Sequence, residues 1–405
     1  MLLSLDAGLQ TNGAIRMPGM RSDAAASGYR VESCVIQATG ELEQEWLCLQ
    51  QRADCSFFQS WGWIGTWLEQ VAMDLSPLVV RVWFEDALVG LGIFVGKRIS
   101  RHLFVRSEAR FLHEYPFDDQ NMTIEYNGLL ADTDHQQAVY SETINHLFRT
   151  GKACDELYFG AVGESTDRIL RNIPAMSGEA SGYYRVLEES LAYSVNLDQF
   201  RQGIDAYLDT LGKNRRMQIR RTLRLFRENS SLQLHTAADT EEALLYFDGL
   251  RELHTARWQA EGQLGSFANK RWEAFHRALI SGRFRYNEVQ LLRVSNSEGA
   301  IGYLYNFTWR RRVYVLQTGF RKFSDKRLMP GYAVHALAIV YNKQQGMEVY
   351  DLMHGDSLYK RLLCNRSEPL RWVVIQKRRW MFELEERVLQ LARGTKRKLK
   401  LLADH

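Results

Sequence analysis

The most informative segment of the chain reads Gln317-Thr-Gly-Phe-Arg-Lys-Phe-Ser-Asp-Lys-Arg-Leu-Met-Pro-Gly-Tyr-Ala333. Its first residues end an apolar run, 313–320, that predicts a strand. A polar, basic loop follows, and Pro330 with Gly331 then opens a predicted helix that continues to about residue 345. The segment therefore predicts a strand, a basic loop and a helix N-terminus in direct succession, an order typical of α/β proteins.

The start of this helix is a candidate anion-binding site. Free N–H groups and the helix dipole attract negative charge there, and Gly331 leaves room for a phosphate to approach the backbone. Charge-assisted contacts are available from four loop residues, Arg321, Lys322, Lys326 and Arg327. The alternative is an ordinary first-turn proline beside a solvated basic loop, and the residues alone leave both interpretations open.

The sequence around this segment predicts a complete folding unit. Upstream it predicts a helix, a strand, two helices and a three-strand meander, at 211–228, 231–236, 240–261, 269–281 and 287–320. Downstream it predicts a strand, a short helix and a last strand, at 348–353, 357–363 and 371–375. This order predicts an α/β (α+β) fold with a mixed sheet.

The first half of the chain has the pattern of a weaker copy of this unit. It predicts a strand, two helices, a hairpin, a helix and a strand, at 29–37, 42–51, 59–71, 78–95, 135–150 and 156–159. The apolar strands at 87–95 and 299–307 occupy the same place in each half, which favours tandem domains. We expect a flexible leader at 1–28, a first domain at 29–185 without a cofactor loop, a second domain at 186–378, and a C-terminal helix with a basic tail at 379–405.

The composition excludes several classes of protein. With 405 residues the chain is long enough for two domains, and a net charge of +4 is too small to indicate nucleic-acid binding by itself. Its five cysteines include no CxxC pair, so neither a disulfide framework nor a zinc site is expected. The chain has no run of about 18 apolar residues, so no transmembrane helix is predicted. We therefore expect a cytoplasmic protein without a bound metal.

The helix predicted at 211–228 is strongly basic, with seven Lys and Arg residues between positions 213 and 227. Such a helix suits an acidic partner, for example a carrier protein or RNA. Its apolar residues Leu211, Ile219, Leu223 and Phe226 are also what a solvated amphipathic helix requires. Both interpretations stay open at this point.

A second candidate group lies on the helix predicted at 240–261. His254, Arg257 and Trp258 are spaced i, i+3 and i+4, so they share one helix face. Histidine has a pKa suited to accepting a proton from an ammonium or hydroxyl group, and Arg257 could bind an anionic group of an acceptor. The alternative is a packed Trp258 with His254 in a structural hydrogen bond.

A third group follows the apolar strand predicted at 348–353. Ligands often bind at the carboxyl end of such a strand, and Asp351 there could act as a base or orient an acceptor. Lys360 could stabilise a tetrahedral oxyanion, and Tyr359 could donate a proton to a leaving thiolate. The alternatives are a helix-capping role for Asp356 and a surface position for Lys360.

From about 211 to 363 the chain resembles the GNAT superfamily, in particular the cellulose-biosynthesis acetyltransferases of the CelD/BcsL type. The matching pieces are Lys213-Asn-Arg-Arg216, Leu253-His-Thr-Ala-Arg-Trp258 with Gly262, Phe275-His276, Gly319-Phe320, Pro330-Gly331 and the stretch 351–360. Phe57-Phe-Gln-Ser60 and Trp67-Leu68 are similar to the opening of the longer members. The chain is also similar to FemX-type peptidyl transferases, which pair two GNAT-like domains.

The resemblance implies direct acyl transfer from a pantetheine thioester, on acyl-CoA or an acyl carrier protein, to an amine acceptor in envelope or exopolysaccharide metabolism. It implies two tandem GNAT-like domains with the donor in the second, and no tightly bound cofactor. The residues implied to contact the donor are Gln317, Thr318, Gly319, Phe320, Arg321, Lys326, Arg327, Gly331, Tyr332 and Ala333.

The sequence departs from the family at the pyrophosphate loop. That loop usually reads Gln/Arg-x-x-Gly-x-Gly/Ala, and the chain matches it at Gly331 and Ala333 but has Leu328 at the basic position, with Arg327 one place early. Carrier protein therefore stays open beside CoA as the donor. Two other hypotheses also stay open, a FemX-like transferase that uses aminoacyl-tRNA and a GNAT-like scaffold without activity.

Overall fold

The computed structural model describes residues 28–100, 106–114, 124–150, 154–173, 182–229, 231–382, 384, 385 and 388. The predicted leader, apart from Gly28, and the basic run of the predicted tail lie outside these residues.

The first half contains seven strands and four helices within its described residues. Its strands are β1 (Tyr29–Val35), β2 (Leu78–Phe84), β3 (Ala87–Ser100), β4 (Arg106–Leu112), β5 (Leu130–Ala131), β6 (Glu156–Val162) and β7 (Gly182–Asn196). Its helices are α1 (Gly40–Gln50), α2 (Trp61–Trp67), α3 (Gln136–Thr150) and α4 (Glu164–Asn172). The sequence patterns missed β4, β5, α4 and β7.

The second half follows the order that its sequence predicts. Its helices are α5 (Ile204–Asp209), α6 (Lys213–Asn229), α7 (Thr240–Ala260), α8 (Lys270–Arg283), α9 (Pro330–Gln344) and α10 (Leu358–Leu363). Its strands are β8 (Gln233–Thr236), β9 (Val289–Asn296), β10 (Gly299–Trp309), β11 (Arg312–Phe320), β12 (Val349–His354) and β13 (Arg366–Lys377). Of these elements, only α5 was not predicted.

Local sequence signals account for the helix starts in the second half. The Asp239 carboxylate accepts the N–H of Glu242 at 2.8 Å, and the Asn269 side chain accepts N–H groups of the first turn of α8. Pro330 occupies a first-turn position of α9, where its missing N–H removes no helical hydrogen bond. These caps explain why the helix boundaries could be predicted closely.

The two halves repeat one arrangement, a strand, two helices, three strands, a helix, a strand, a helix and a strand. In the first half this series runs from β1 to β7, and in the second it runs from β8 to β13. The prediction of tandem units in a mixed α/β fold is therefore confirmed. The inserted elements are the two-residue strand β5 and the connecting helices α5 and α6.

Both halves contribute to one continuous sheet, in the order β1-β2-β3-β4-β6-β13-β7-β12-β11-β10-β9-β8. The last strand, β13, pairs antiparallel with β6 on one side and with β7 on the other. The division predicted at 185/186 falls inside β7, which is unbroken from Gly182 to Asn196 and pairs with β13 over its length. No linker sequence marks this position, because β7 itself connects the two halves.

Aromatic side chains from both halves form a shared core. Phe57 of the first half stacks on Phe307 of the second with ring centroids 4.4 Å apart. Trp63 of α2 meets Phe275 of α8 edge-on at 4.9 Å. Arg310, in the β10–β11 turn, donates to a backbone carbonyl at the C-terminal end of α1. The interface is apolar at its centre and anchored by a cation at its edge.

Candidate functional site

Strands β11 and β12 separate after a short parallel pairing. They pair at Arg312 with Val349, at Val313 with Tyr350 and at Tyr314 with Asp351. Beyond that level β11 continues beside β10 alone, while β12 has an irregularity between Asp351 and His354. The result is a cleft, here the β11/β12 cleft, with residues 315–320 on one side and 352–354 on the other. It leads toward the N-terminus of α9.

The N-terminus of α9 is less open to an anion than the sequence predicts. The N–H groups of Tyr332 and Ala333 both donate to the carbonyl of Met329, at 3.1 and 3.3 Å. No side chain caps the helix start. The Ala333 bond is the ordinary first bond of the helix, so Tyr332 alone engages an N–H that a helix start usually leaves free, and pyrophosphate binding at this terminus stays a prediction.

Two of the four loop cations are already paired. Arg321 lies 3.5 Å from Glu298 in the β9–β10 turn, and Arg327 lies 2.7 Å from Asp325 in the loop itself. Lys322 and Lys326 are exposed. The loop therefore offers two lysines to a phosphate more readily than it offers the arginines.

The glycines of the candidate donor loop are explained by packing. A Cβ on Gly331 would lie 3.3 Å from the Phe320 ring, and a Cβ on Gly302 would lie 2.7 Å from it. A Cβ on Gly319 would lie 2.6 Å from the carbonyl oxygen of Leu250 in α7. Gly302 and Gly331 thus make room for Phe320, and Gly319 lets α7 approach the sheet. Room for the Phe320 ring is therefore a second explanation of Gly331, beside the close approach of a phosphate.

His254 is buried against aromatic rings. Only 4% of it is exposed, and its ring lies 5.7 Å from Trp258 and 5.2 Å from Phe267. Its Nδ1 atom has no hydrogen-bond partner among the described residues. Burial, together with the nearby Arg257 charge, lowers the pKa of His254 to about 4. Such an imidazole is neutral at pH 7 but is a weak base.

The predicted acceptor-binding residues lie on the rim of the same region. Arg257 is exposed and forms an ion pair with Glu261 at 3.1 Å. Gln317 of β11 donates to the Ser266 hydroxyl at 3.1 Å, in the loop after α7. The ring of Trp258 packs under Gly265 of that loop. The structure therefore brings the His254 face of α7 close to the donor strand.

Asp351 is fully buried at the level where β11 and β12 separate. Its carboxylate accepts the Tyr126 hydroxyl at 2.6 Å and the Met353 N–H at 2.7 Å. The Arg312 guanidinium lies 3.8 Å away. Burial raises the pKa of Asp351 to about 6, against the opposing effect of Arg312. This carboxyl is therefore closer to the range of a useful base than His254 is.

Lys360 lies over the irregular part of β12. Its Nζ donates to the carbonyls of Met353, at 3.4 Å, and of His354. Burial lowers the pKa of Lys360 below its usual value. Met353 has a φ of 62°, and its N–H is held by Asp351, so both predicted residues stabilise one bulge in β12.

Tyr359 borders the cleft beside a histidine that the sequence analysis missed. Its ring stacks on His335 of α9, with centroids 5.9 Å apart and planes at 19°. Burial raises the pKa of Tyr359 to about 12, and the positive charge of Arg257 partly opposes this. His335 is fully buried, and its Nε2 has no partner within the described part of the chain. Nothing in its local sequence distinguishes it from a core helix residue.

Two residues of the first half reach the site, and sequence reasoning missed both. Tyr126 bonds Asp351, and Glu125 accepts the backbone N–H of His354 at 2.8 Å and also contacts its ring. The Glu125 contact raises the pKa of His354. No sequence signal was available, because Tyr126 and Asp351 are separated by 225 positions.

A cavity of about 410 Å³ lies between the halves next to this group. It is lined by hydroxyl-bearing, aromatic and charged side chains. From the first half they include Gln59, Tyr126, Tyr140 and Arg168, and from the second half Arg312, Tyr314, Arg366 and Glu368. The cavity thus shares Tyr126 and Arg312 with the surroundings of Asp351.

Two absences apply to the described residues. They contain no group of three or more His, Cys, Asp or Glu side chains placed to hold a metal ion. None of the helices described is both long enough and apolar enough to cross a membrane.

Comparison with known proteins gives a family for part of the chain and a fold for nearly all of it. Residues 213–361 match the family model described as acetyltransferase (GNAT) domain. No curated protein matches the sequence. Among solved structures, FemX has a TM-score of 0.55 at 10% identity, with 84% of this chain and 96% of FemX covered.

Lysylphosphatidylglycerol synthases have similar folds. A structure of L-PGS from Bacillus licheniformis has a TM-score of 0.50 at 11% identity, covering 86% of this chain and 95% of that one. The C-terminal domain of a putative lysylphosphatidylglycerol synthetase from Agrobacterium fabrum has a TM-score of 0.51 at 9% identity, covering 88% and 96%. At these identities the likeness concerns the fold. The protein is thus a transferase whose residues 213–361 match the acetyltransferase (GNAT) domain family, in a chain with a fold similar to that of FemX.

Proposed function

We propose that the protein transfers an acyl group from a pantetheine thioester to an amine acceptor. The observation that carries this proposal is the β11/β12 cleft, where the edge of β11 beyond Tyr314 faces no strand. An extended pantetheine arm can bond such an edge as an additional strand would. A thioester bound along this edge would lie near Asp351, Tyr359 and Lys360.

In the proposed reaction the amine nitrogen attacks the thioester carbon. The carbonyl oxygen gains negative charge, and the ammonium of Lys360 beside the cleft stabilises it. The C–S bond then breaks, and Tyr359, which stays protonated at neutral pH, gives its proton to the leaving sulfur. The amine proton passes to a base, and we assign this role to Asp351 before His254 because its pKa lies closer to neutrality.

We further propose an acyl carrier protein as the donor in preference to free CoA. The two paired arginines and the engaged N–H of Tyr332 at α9 suit one phosphate better than a pyrophosphate. The basic helix α6 borders the same entrance, since Gln218 contacts Met329 at 3.0 Å and Arg215 donates to the carbonyl of Arg361 at 2.8 Å. An acidic carrier would be attracted to this helix.

The acceptor in this proposal enters the cavity between the halves. Its lining of hydroxyl, carboxylate and guanidinium groups suits a polar acceptor with an amine, and the resemblance to CelD-type proteins supports one from envelope or exopolysaccharide metabolism. A cytoplasmic location stays a prediction.

A second candidate function is transfer of an amino acid from aminoacyl-tRNA. The observation that favours it is again α6, which exposes Lys213, Arg221 and Arg227 beside the donor entrance. The similarity in fold to FemX and to lysylphosphatidylglycerol synthases is compatible with it.

Calorimetry with three donors separates these functions. We expect holo-acyl carrier protein to bind more tightly than CoA, and apo-carrier, which lacks the pantetheine arm, to bind weakly. Arg221→Glu should weaken carrier binding while leaving CoA binding unchanged. Tight binding of deacylated tRNA with none of carrier would establish the second function instead. Binding of none of the three would favour a scaffold without activity.

A further inference from the structure

In the first half, strands β4 and β6 correspond to β11 and β12, and a segment of the first half lies where these two strands separate. Strands β4 and β6 pair in parallel only from Ala109 with Glu156 to Phe111 with Tyr158. Beyond that level Asn127 bridges the two strands. Its side chain donates to the carbonyl of Leu112 at 2.8 Å, and its backbone N–H donates to the carbonyl of Ala161 at 3.3 Å. We call residues 124–129 the filling segment.

The filling segment also contacts the bulge of β12 in the second half. Tyr126 donates to the Asp351 carboxylate at 2.6 Å, and Glu125 accepts the N–H of His354 at 2.8 Å. These contacts lie on both sides of Met353, the residue with positive φ in the bulge. The bulge geometry therefore depends on two adjacent residues of the first half.

We propose that Tyr126 and Glu125 are positioning residues of the transfer reaction, and that the first half orients β12 for catalysis with the segment that fills its own cleft. This inference rests on the proposed function. Tyr126 also lines the cavity between the halves, as does Arg312. An acceptor bound there would touch the residue that holds Asp351.

The charge environment of Asp351 makes the role of Tyr126 measurable. A hydroxyl that donates to a carboxylate favours the charged form, so its removal should raise the pKa of that carboxyl. The titratable and charged groups that act on Asp351 come from several elements, namely Tyr126, Glu125, Arg312, Tyr314, Lys360 and Cys364, while His354 and Glu368 contact members of this group.

The chain offers a matched control in a second Tyr–Asp–Arg group. Tyr184 donates to buried Asp167, which Arg371 contacts at 2.8 Å. This group resembles Tyr126, Asp351 and Arg312 in chemistry, but it joins α4, β7 and β13, and none of its three residues lines the cavity or forms one of the hydrogen bonds of Asp351. Tyr184→Phe therefore removes the same kind of hydrogen bond without touching the site.

The experiment compares Tyr126→Phe with Tyr184→Phe by carboxyl carbon NMR of Asp351 and by the pH profile of kcat. We expect Tyr126→Phe to move the Asp351 titration and the acidic limb of kcat upward by about one pH unit, as loss of a hydrogen bond to a charged group implies. Its kcat should fall roughly 10- to 100-fold with the donor KM unchanged. Tyr184→Phe should change neither the titration of Asp351 nor the acidic limb of the kcat profile.

An unchanged Asp351 titration in Tyr126→Phe, or equal effects of both variants on kcat, would overturn the proposal. If Tyr126→Phe does not fold, Glu125→Gln provides the second test, because it retains an acceptor for the His354 N–H but removes the charge. We expect it to lower kcat and the pKa of His354, and an unchanged kcat would contradict the positioning role. If no donor supports transfer, the proposed function fails, while the NMR titration still decides whether Tyr126 controls Asp351.

Discussion

At the scale of single residues, the site combines a buried carboxyl, a buried amine and two buried imidazoles. Burial shifts each of these groups toward its neutral form, which raises the pKa of Asp351 and lowers those of Lys360, His254 and His335. The raised pKa makes the Asp351 carboxylate a stronger base, and the protonated acceptor amine must lose a proton to such a base before attack.

The stability of the protein should report the state of Asp351. Its folded pKa of about 6 lies above the unfolded value near 3.9, so the folded state binds more protons, and stability is lost as pH rises from about 4 through 6. Asp351→Asn lacks this titration. Relative to the variant, the wild type should therefore lose up to about 3 kcal/mol of unfolding free energy between about pH 4 and pH 7. Urea denaturation of both proteins at pH 4 and pH 7 measures this difference. An equal change in unfolding free energy in the wild type and in Asp351→Asn would contradict the prediction.

Substitutions at His254 and at Lys360 should lower kcat to different extents. Lys360→Met removes the oxyanion donor and should lower kcat about 10²- to 10³-fold with donor affinity nearly unchanged. His254→Gln should lower kcat by less than the roughly 10²-fold minimum typical of a general base, because Asp351 takes that role. Steady-state kinetics with both variants decides the assignment. If His254→Gln lowers kcat by more than this and removes a limb of the pH profile of kcat, His254 and not Asp351 is the base.

At the scale of elements, the decisive feature is where two parallel strands separate. At the entrance to the β11/β12 cleft, the Phe320 ring at the end of β11 packs against Gly331 at the start of α9. Packing against Phe320 therefore also explains Gly331, which in the sequence indicates phosphate binding. A substitution at the start of α9 has to be tested for its effect on folding as well as on donor binding.

Gly331→Glu tests the entrance at α9. The new side chain would place negative charge beside the cleft and press on Phe320, so donor affinity should fall by about an order of magnitude or more. Gly331→Ala is the control, since its methyl group meets the same ring without adding charge. Calorimetry should show weak binding only for the Glu variant. Equal losses in both variants would mean that packing, and not a phosphate, governs this position.

At the scale of the whole molecule, the halves are joined by more than a linker. Strand β13 lies between β6 and β7, and aromatic side chains of α2 and α8 interlock. The first half repeats the order of elements of the second half, but residues 124–129 bridge its strands β4 and β6 and contact β12 of the other half.

The chain should unfold as one cooperative unit. Removal of the second half would expose the β13 side of β6 and the aromatic core around Trp63. We therefore expect a single calorimetric transition for the full chain, and a fragment ending at residue 185 should not fold. Scanning calorimetry and circular dichroism measure the two outcomes. Two separate transitions, or a folded fragment, would restore the predicted boundary as a true domain limit.

The sequence by itself determined most of the elements. Helix caps at Asp239 and Asn269, the proline that opens α9 and the alternation in the β9–β11 meander are local signals, and they predict the order of elements in the second half. Asp351, Tyr359 and Lys360 are predicted site residues because they lie in or after an apolar strand that local patterns mark, and His254 is one because it shares a helix face with Arg257 and Trp258.

Only the tertiary structure decided how these residues are held. The filling segment, the Tyr126–Asp351 bond, the insertion of β13 and the packing role of Gly331 all depend on contacts between distant parts of the chain. Periodicity and capping act over a few residues and carry no information on such pairs. The contribution of the first half to the site therefore arises from long-range packing, which fixes side-chain orientation and burial and, through burial, the pKa of each buried group.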